Sequence, residues 1–371
     1  MKQRPSLAIV CRSFGQPGGA EGWARQQARA LVATGRWDLH VICAEEGNLE
    51  GPWRVHRVPR PRVTGFWHKG EFAWQVGRVL KRERFDWIHT HDPLPGAHFV
   101  TTGPPHRFWA KEVRGKRFLG LNDWVSVWLE REMFSHPNFR LALPMSHRIA
   151  EELIQVYPGL VNRIAVLPPL PEGEGPDCQE VEAWRVKHRA ARRIQPTERV
   201  ILFVGNNFRL KGLHHLLDAL GQERKAGRVW RLEVVGRGDE AEFTRMAGTF
   251  GVDSWVHFAG LEEGSMLPWY AAADLVALPS AFETFGMVVP EAMQMGRPVV
   301  VTRTVGAADL VRDGVTGWVI DGGGDLGRVL AEAASADLVE MGKAARASLG
   351  HGLSPESVAA PFLAVAFPER G

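Results

Sequence analysis

Short apolar runs and longer amphipathic segments alternate along this chain, and the alternation occurs twice. The apolar runs predict strands in the first half at 7–13, 39–43, 54–58, 87–90, 99–102, 141–144 and 164–167. In the second half they predict strands at 200–204, 231–235, 255–258, 275–278, 299–302 and 318–320. Helix-like segments such as 20–34 and 71–84 lie between the runs. Strands that alternate with helices imply parallel sheets covered on both faces. The pattern therefore predicts an α/β chain with two Rossmann-like, doubly wound domains.

A segment rich in proline and glycine at 168–176 separates the two halves. Such a composition is typical of a linker, so we predict one domain at 1–170 and a second at 171–354. The last helix-like stretch, within 355–371, is a candidate to pack back on the first domain. Two doubly wound domains joined in this way are expected to face a central cleft at the carboxyl ends of their strands, where ligands of open α/β sheets bind.

The composition fits a soluble globular protein, with 45% hydrophobic and 23% charged residues. No apolar run reaches the roughly 20 residues that span a bilayer. The first residues lack the apolar core of a signal peptide, so we expect a cytoplasmic location.

Charge is divided unevenly between the two halves of the chain. The first 170 residues hold 24 Lys and Arg against 15 Asp and Glu, a balance of +9, whereas the rest has a balance of −6. A basic first half favours an anionic acceptor or membrane surface, and the alternative is an Arg-rich solvated surface.

Three loops carry candidate chemistry. The first, SFGQPGGAE at 13–21, follows the first strand and precedes a helix. Gly18 and Gly19 permit close backbone approach to a phosphate at the helix start, although a tight structural turn explains them equally well. The second, FVGNNFRLKG at 203–212, places Arg209 and Lys211 where a helix begins. Two cations at a helix N-terminus can compensate a diphosphate without a metal.

The third segment is LPSAFETFGMVVPEAMQMGRPVV at 278–300. Glu283 lies in the loop after a strand, and Glu291 lies eight positions later in the following helix. Carboxylates accept hydrogen bonds from sugar hydroxyls. The alternative for Glu291 is a solvated helix residue, but its apolar neighbours predict burial, and a buried carboxylate needs a partner.

The spacing of these two glutamates resembles the donor-site signature of glycosyltransferase family 4. The segments SFGQPGGAE, FVGNNFRLKG and VGRGDE (235–240) resemble the other motifs of the family in the right order. The nearest resemblance within the family is to the glucosyltransferases of the heptose region of the lipopolysaccharide inner core. The resemblance implies a GT-B fold and a retaining transfer of a hexose, with glucose as the expected sugar, from a UDP-sugar to a glycolipid acceptor such as the lipopolysaccharide core.

The resemblance also implies roles for particular residues. Arg209 and Lys211 would neutralise the diphosphate, Glu291 would hold the ribose hydroxyls, and Glu283 with the backbone of 286–288 would hold the donor sugar. The implied catalytic residues are Glu283, Arg209, Lys211 and His106. The implied donor-binding residues are Gly18, Gly19, Gly205, Asn206, Gly236, Leu261, Gly286, Met287, Val288 and Glu291. The UDP-sugar is a substrate. No cofactor or metal is expected, since the sequence has no Asp-x-Asp motif.

The chain departs from the family on the acceptor side. Family members commonly carry a His or an acidic residue just after the strand at 99–102, where Gly103 stands here. His91, Asp92 and His106 are the candidates nearby, and each has a structural role as its alternative.

The segment 106–131 mixes aromatic residues with Lys111, Arg114, Lys116 and Arg117. Aromatic rings beside cations suit a membrane interface, so we expect peripheral contact with the anionic inner face of the membrane. The alternative is that Trp124 and Trp128 belong to the core.

Rival functions are a GT-B enzyme with another polysaccharide or a soluble acceptor, a UDP-sugar 2-epimerase, and a non-catalytic sugar-nucleotide binding protein. No nucleic-acid partner is expected.

Overall fold

A computed structural model describes residues 4–15, 19–44, 47, 49–59, 67–171, 175–350 and 354–368. The chain forms two compact units. Unit 1 comprises the described residues up to Pro169 together with the C-terminal helix. Unit 2 comprises the described residues between these two segments, from Leu170 to Gly350.

Unit 1 is built on a six-stranded parallel sheet with the order β3-β2-β1-β4-β5-β6. Its strands are β1 (Ser6–Val10), β2 (Asp38–Cys43), β3 (Arg54–Arg57), β4 (Trp87–Thr90), β5 (Phe99–Thr102) and β6 (Leu141–Pro144). Its helices are α1 (Gly19–Ala33), α2 (Trp67–Arg82), the short α3 (His106–Phe108) that continues into a π-helical turn at Trp109–Val113, α4 (Leu121–Ser135) and α5 (His147–Val156).

Successive residues of β1 face opposite sides of this sheet, as the pleat of a strand requires. Leu7 and Ile9 pack in one hydrophobic cluster, and Ala8 and Val10 pack in another. Both faces of the sheet are therefore covered.

Unit 2 has a second six-stranded parallel sheet, with the order β12-β11-β10-β7-β8-β9. Its strands are β7 (Val200–Val204), β8 (Arg231–Val235), β9 (Val256–Gly260), β10 (Leu275–Leu278), β11 (Val299–Thr302) and β12 (Gly317–Ile320). Its helices are α6 (Cys178–Ala191), α7 (Leu213–Lys225), α8 (Glu240–Phe250), α9 (Leu267–Ala272), α10 (Val288–Gln294), α11 (Leu326–Ala333) and α12 (Leu338–Ser348). This arrangement confirms the predicted α/β class with two Rossmann-like parallel sheets.

The last helix, α13 (Pro355–Ala366), belongs to unit 1 and packs against α1. Val358, Ala359 and Phe362 are buried in the same cluster as Leu7 and Phe99. The core on this face of the β1 sheet is therefore completed by residues from the far end of the sequence.

The strand predicted at 164–167 is wrong. The segment makes a single parallel bridge, between Ile164 and Ala142 of β6. The Leu167 amide still donates to the Pro144 carbonyl at 2.9 Å. Pro168 and Pro169 follow and have no N–H to donate, so the ladder cannot continue.

Candidate functional site

The residues predicted to bind the donor in unit 2 follow four neighbouring strands. Gly205 and Asn206 follow β7, Gly236 follows β8, and Leu261 follows β9. Glu283 lies in the loop that follows β10. The strands β10, β7, β8 and β9 are adjacent and parallel, so their carboxyl ends lie along one edge of the sheet, where ligands of open α/β sheets bind.

Hydrogen bonds join the loops after β7 and β8. The Asn207 amide donates to the Arg237 carbonyl at 2.8 Å, and the Arg237 amide donates to the side-chain oxygen of Asn206 at 2.9 Å. A Cβ on Gly236 would lie 2.2 Å from the Gly205 carbonyl oxygen. The two glycines therefore let the backbones touch, and Gly205, Asn206 and Gly236 form one surface.

The loop after β7 turns into α7 next to the end of β10. Gly212 precedes the helix with φ +81°, and a Cβ there would lie 2.0 Å from the Pro279 carbonyl oxygen. Only glycine adopts this conformation at such a close approach. The Ala281 amide donates to the Leu210 carbonyl at 2.9 Å. These contacts hold Lys211 beside the loop that carries Glu283.

Lys211 and Glu283 form an ion pair, and each side chain is 20% exposed. The Glu283 amide donates to the Thr304 carbonyl at 3.1 Å, which fixes the backbone of its loop. Burial lowers the pKa of Lys211 to about 8, whereas the negative charge of Glu283 acts in the opposite direction. Two of the predicted catalytic residues are therefore in direct contact.

Arg209 lies apart from this pair. Its guanidinium is 61% exposed and forms an ion pair with Glu242 of α8. An exposed pair of this kind contributes about 0–1 kcal/mol, so Arg209 could exchange Glu242 for an anionic ligand at small cost.

Gly286, Met287 and Val288 lead into α10, which bears Glu291. Gly286 has φ +95°, and a Cβ there would lie 3.1 Å from the Glu283 Cγ. Glu291 accepts a hydrogen bond at 2.5 Å from the hydroxyl of Tyr270, a residue that the sequence prediction missed. Burial raises the pKa of Glu291, and the bond from Tyr270 acts against this rise. The expectation of a buried, partnered carboxylate agrees with this geometry.

The predicted residues of unit 1 lie on other elements. Gly19 is exposed at the start of α1, and Gly18 lies outside the described residues. His106 follows β5, and its Nε2 lies 3.0 Å from Asp123 Oδ1 on α4. The other oxygen of Asp123 accepts from Lys116 at 2.6 Å and from the Gly120 amide at 2.9 Å.

Burial and hydrogen bonding shift the pKa values of His106, Asp123 and Glu130. Burial lowers the pKa of His106. Burial alone would raise the pKa of Asp123, but the hydrogen bonds from Lys116, His106 and Gly120 hold it below its ordinary value. The His106 amide donates to both oxygens of Glu130 at 3.0 Å, and burial raises the pKa of Glu130 to about 7. Asp123 and Glu130 thus orient the His106 loop, and the sequence pattern does not indicate these long-range contacts.

Some aromatic side chains of unit 1 are exposed, on α2, on α4 and on the turn before α4. We define the aromatic surface as four aromatic side chains, Trp74, Phe118, Trp124 and Trp128, together with Leu121, each of which is more than half exposed. Guanidinium groups lie over the rings nearby, with Arg78 5.2 Å from the Trp74 centroid and Arg117 5.8 Å from the Phe118 centroid. Trp124 and Trp128 therefore do not belong to the core.

Membrane-spanning helices and metal-binding clusters are both absent from the described residues. Among them, no helix is both long and apolar enough to cross a bilayer. Within the same part of the chain, no group of three or more His, Cys, Asp or Glu side chains is placed to hold a metal ion.

Comparisons with known proteins agree with this architecture. Residues 17–170 match the family model described as Glycosyltransferase Family 4, and residues 198–337 match the model described as Glycosyl transferases group 1. A D-inositol 3-phosphate glycosyltransferase of Xylanimonas cellulosilytica is 33% identical over 321 residues, which cover 84% of this chain and 69% of the relative. The chain therefore belongs to the family 4 glycosyltransferases, and it is a glycosyltransferase.

Solved structures show the same fold. The crystal structure of WaaG, a glycosyltransferase involved in lipopolysaccharide biosynthesis, has a TM-score of 0.77 and 21% identity and covers 98% of this chain and 100% of WaaG. Anabaena HepE in complex with UDP-glucose has a TM-score of 0.72 and 18% identity and covers 98% of this chain and 99% of HepE. The fold is accordingly GT-B, as predicted.

Proposed function

We propose that this glycosyltransferase transfers a hexose, with glucose as the expected sugar, from a UDP-sugar to a glycolipid acceptor with retention of anomeric configuration. The observation that carries the proposal is the contact between Lys211 and Glu283 at the strand edge that also bears Gly205, Asn206 and Gly236. A cation for the diphosphate then lies beside a carboxylate for the sugar. The structural similarity to HepE, which was solved with UDP-glucose, supports the choice of donor.

In the proposed reaction the bond between the anomeric carbon and the diphosphate oxygen breaks, and the diphosphate leaves with its negative charge. Lys211 and Arg209 stabilise this developing charge, a contribution that is often the largest in catalysis. Glu283 and the backbone of 286–288 hold the sugar, and Glu291 holds the ribose. The acceptor hydroxyl attacks from the face that the diphosphate leaves. Its proton passes to the leaving phosphate oxygen, so no protein nucleophile is required.

The acceptor is proposed to lie at a membrane. Rings and guanidinium groups on the aromatic surface have the composition of an interfacial anchor, and the positive balance of the first 170 residues attracts anionic lipid. WaaG acts in lipopolysaccharide biosynthesis, which agrees with a lipid-linked acceptor on the inner face of the membrane.

A second candidate is a soluble, phosphorylated acceptor. The relative from Xylanimonas cellulosilytica is named for D-inositol 3-phosphate, and Lys69 and Lys116 in unit 1 could meet such an anion. Lys69 donates to Ser126 at 3.1 Å, close to the His106 cluster. This candidate needs no lipid surface.

The experiment is a screen of donor hydrolysis with UDP-, GDP- and ADP-sugars, followed by transfer assays with the preferred donor. We expect hydrolysis of UDP-glucose above the other donors and transfer to a core glycolipid in vesicles. A Glu283→Gln variant should lose hydrolysis. Preference for a GDP- or ADP-sugar would overturn the donor assignment, and transfer to inositol phosphate alone would favour the second candidate.

A further inference from the structure

Tyr270, which is buried, and Glu291, which is partly buried, form a hydrogen-bonded pair in unit 2. Tyr270 is 1% exposed, and its hydroxyl donates to Glu291 Oε2 at 2.5 Å. The two residues lie on different helices, α9 and α10, and are 21 positions apart in the sequence. A buried phenol needs a hydrogen-bond partner. A carboxylate that is only partly buried can accept from the phenol and also from a ligand.

Two arginines of α6 bind the C-terminal end of the helix that carries Tyr270. Arg185 of α6 donates to the carbonyls of Ala271, Ala272 and Ala273 at 2.8–3.2 Å and pairs with Asp274. Arg189 donates to the Ala272 carbonyl at 3.0 Å. These bonds satisfy the carbonyls that a helix end leaves free and hold the backbone of the helix, while burial of the ring restricts the position of the phenol oxygen.

The carboxylate of Glu291 has no such constraint of its own. The terminal torsion of a glutamate side chain has a broad, nearly flat preference, so rotamer choice alone does not orient the plane of the two oxygens. A carboxylate that accepts both hydroxyls of a ribose must present that plane to them. The bond from Tyr270 fixes one oxygen and thereby the plane.

We propose that Tyr270 is a positioning residue that orients Glu291 toward the vicinal hydroxyls of the ribose, and that it thereby gives the site its preference for ribonucleotides over deoxyribonucleotides. The inference rests on the proposed role of Glu291 in ribose binding. Tyr270 does not touch the nucleotide in this arrangement, and its effect passes entirely through Glu291.

The bond from Tyr270 also keeps Glu291 in the form that accepts hydrogen bonds. Burial raises the pKa of this carboxyl, and the donated hydrogen bond opposes the rise. A Tyr270→Phe variant keeps the ring and its packing but removes this donor. The carboxylate then loses both its fixed plane and part of the stabilisation of its charge.

The chain offers a matched control, because it contains only two tyrosines and both donate to a glutamate. Tyr157 in unit 1 donates to Glu130 at 3.2 Å. A Tyr157→Phe variant therefore removes the same kind of hydrogen bond without touching the donor-binding loops.

The test is calorimetric binding of UDP, 2′-deoxy-UDP and 3′-deoxy-UDP to the full-length protein, in the wild type and in the Tyr270→Phe, Glu291→Gln, double and Tyr157→Phe variants. We expect the wild type and Tyr157→Phe to prefer UDP by tenfold or more. Tyr270→Phe should reduce this preference at least threefold, with the affinity for the deoxynucleotides nearly unchanged. The double variant should bind UDP no more weakly than Glu291→Gln, since coupled residues are not additive.

Two negative outcomes are distinguishable. If the wild type binds UDP and the deoxynucleotides equally, the ribose role of Glu291 fails and the inference fails with it. If Glu291→Gln loses the preference while Tyr270→Phe keeps it, Tyr270 is structural only and the proposed function stands.

A second measurement covers the case in which Tyr270→Phe does not fold. Fluorotyrosine incorporated into the Tyr157→Phe protein gives a single ¹⁹F signal, from Tyr270. We expect this signal to shift with UDP and to shift much less with a dideoxy analogue. An equal response to both nucleotides would overturn the inference.

Discussion

Lys211 and Arg209 carry the positive charges of the proposed diphosphate site in different ways. Lys211 is mostly buried and already paired with Glu283, whereas Arg209 is exposed and held by Glu242. The first is therefore preorganised, and the second must move to reach a ligand.

Lys211→Ala and Arg209→Ala are each expected to lower kcat by tenfold or more while the protein stays folded. Losing one charge-assisted hydrogen bond costs about 1.5–3 kcal/mol, which corresponds to roughly ten- to a hundredfold. Steady-state kinetics and circular dichroism check this. Lys343→Ala and Arg328→Ala are the controls, since both side chains form exposed ion pairs on other helices of unit 2. Wild-type kinetics in both site variants would exclude the diphosphate role.

The affinity for UDP is expected to fall as pH rises above about 8. Burial lowers the pKa of Lys211 to about 8. A bound diphosphate stabilises the protonated form, so the complex binds more protons than the free protein in this range. The contribution of the Lys211 charge to the affinity is therefore complete well below pH 8 and declines progressively above it. Lys211→Arg should flatten the decline, because arginine stays charged. Calorimetric titrations between pH 6.5 and 9.5 measure it, and identical profiles for both proteins would contradict the assignment.

Residues that directly follow strands were the easiest to predict from the sequence. Gly205, Gly236 and Glu283 come shortly after apolar runs, and parallel strands bring such positions to one edge. The partners Tyr270, Asp123 and Glu130 were not predictable, because their contacts join segments 17–24 residues apart through tertiary packing.

Helix α4 presents two different faces. Asp123 and Ser126 are buried and hold Lys116, His106 and Lys69, whereas Trp124 and Trp128 face outward. The sequence spacing of the two tryptophans predicted a shared helix face but could not show whether that face is covered.

Trp124→Ser together with Trp128→Ser is expected to weaken binding to anionic liposomes at least fivefold without changing donor hydrolysis. The side chains lie on the aromatic surface, far along the sequence from the donor-binding loops. Sedimentation with vesicles of varied anionic lipid content measures binding. Val339→Ser, at an exposed apolar position of unit 2, is the control. Equal sedimentation of wild type and double variant would show that this surface is not the anchor.

The basic residues near α4 should contribute an electrostatic share of the same binding. The triple variant Lys111→Gln, Arg114→Gln and Arg117→Gln is expected to bind anionic vesicles more weakly at low salt. The effect should be small at 1 M salt, where the Debye length is about 3 Å. Lys116 is left unchanged because it holds Asp123. A wild type that ignores anionic vesicles at low salt would favour a soluble acceptor.

At the scale of the whole molecule, the alternation of strands and helices was enough to predict both sheets, because buried parallel strands form continuous apolar runs in the sequence. The strand prediction at 164–167 was wrong because the segment is as apolar as a strand, while the prolines that end its pairing lie just outside it. The boundaries of a strand therefore depend on which residues have a backbone N–H to donate, and a hydrophobic pattern does not indicate this.

Transfer is expected to persist in excess EDTA. Lys211 and Arg209 supply positive charge to the diphosphate in the proposed mechanism, so the reaction does not depend on a divalent ion for that charge. A transfer assay with and without EDTA, and with Mg²⁺ or Mn²⁺ added back, measures this. Complete loss in EDTA that either ion restores would overturn the metal-free mechanism.

The packing of α13 on α1 has a consequence for how the protein is made. A ribosome synthesises the strands of unit 1 first, yet Phe362, which fills their core beside Phe99 and His89, is synthesised only after the whole of unit 2. Burying such a ring contributes about 1.5–3 kcal/mol. Nascent chains released before α13 should therefore expose an apolar groove and depend on chaperones, whereas the continuous unit 2 can mature earlier. Limited proteolysis of stalled chains of increasing length would reveal this order.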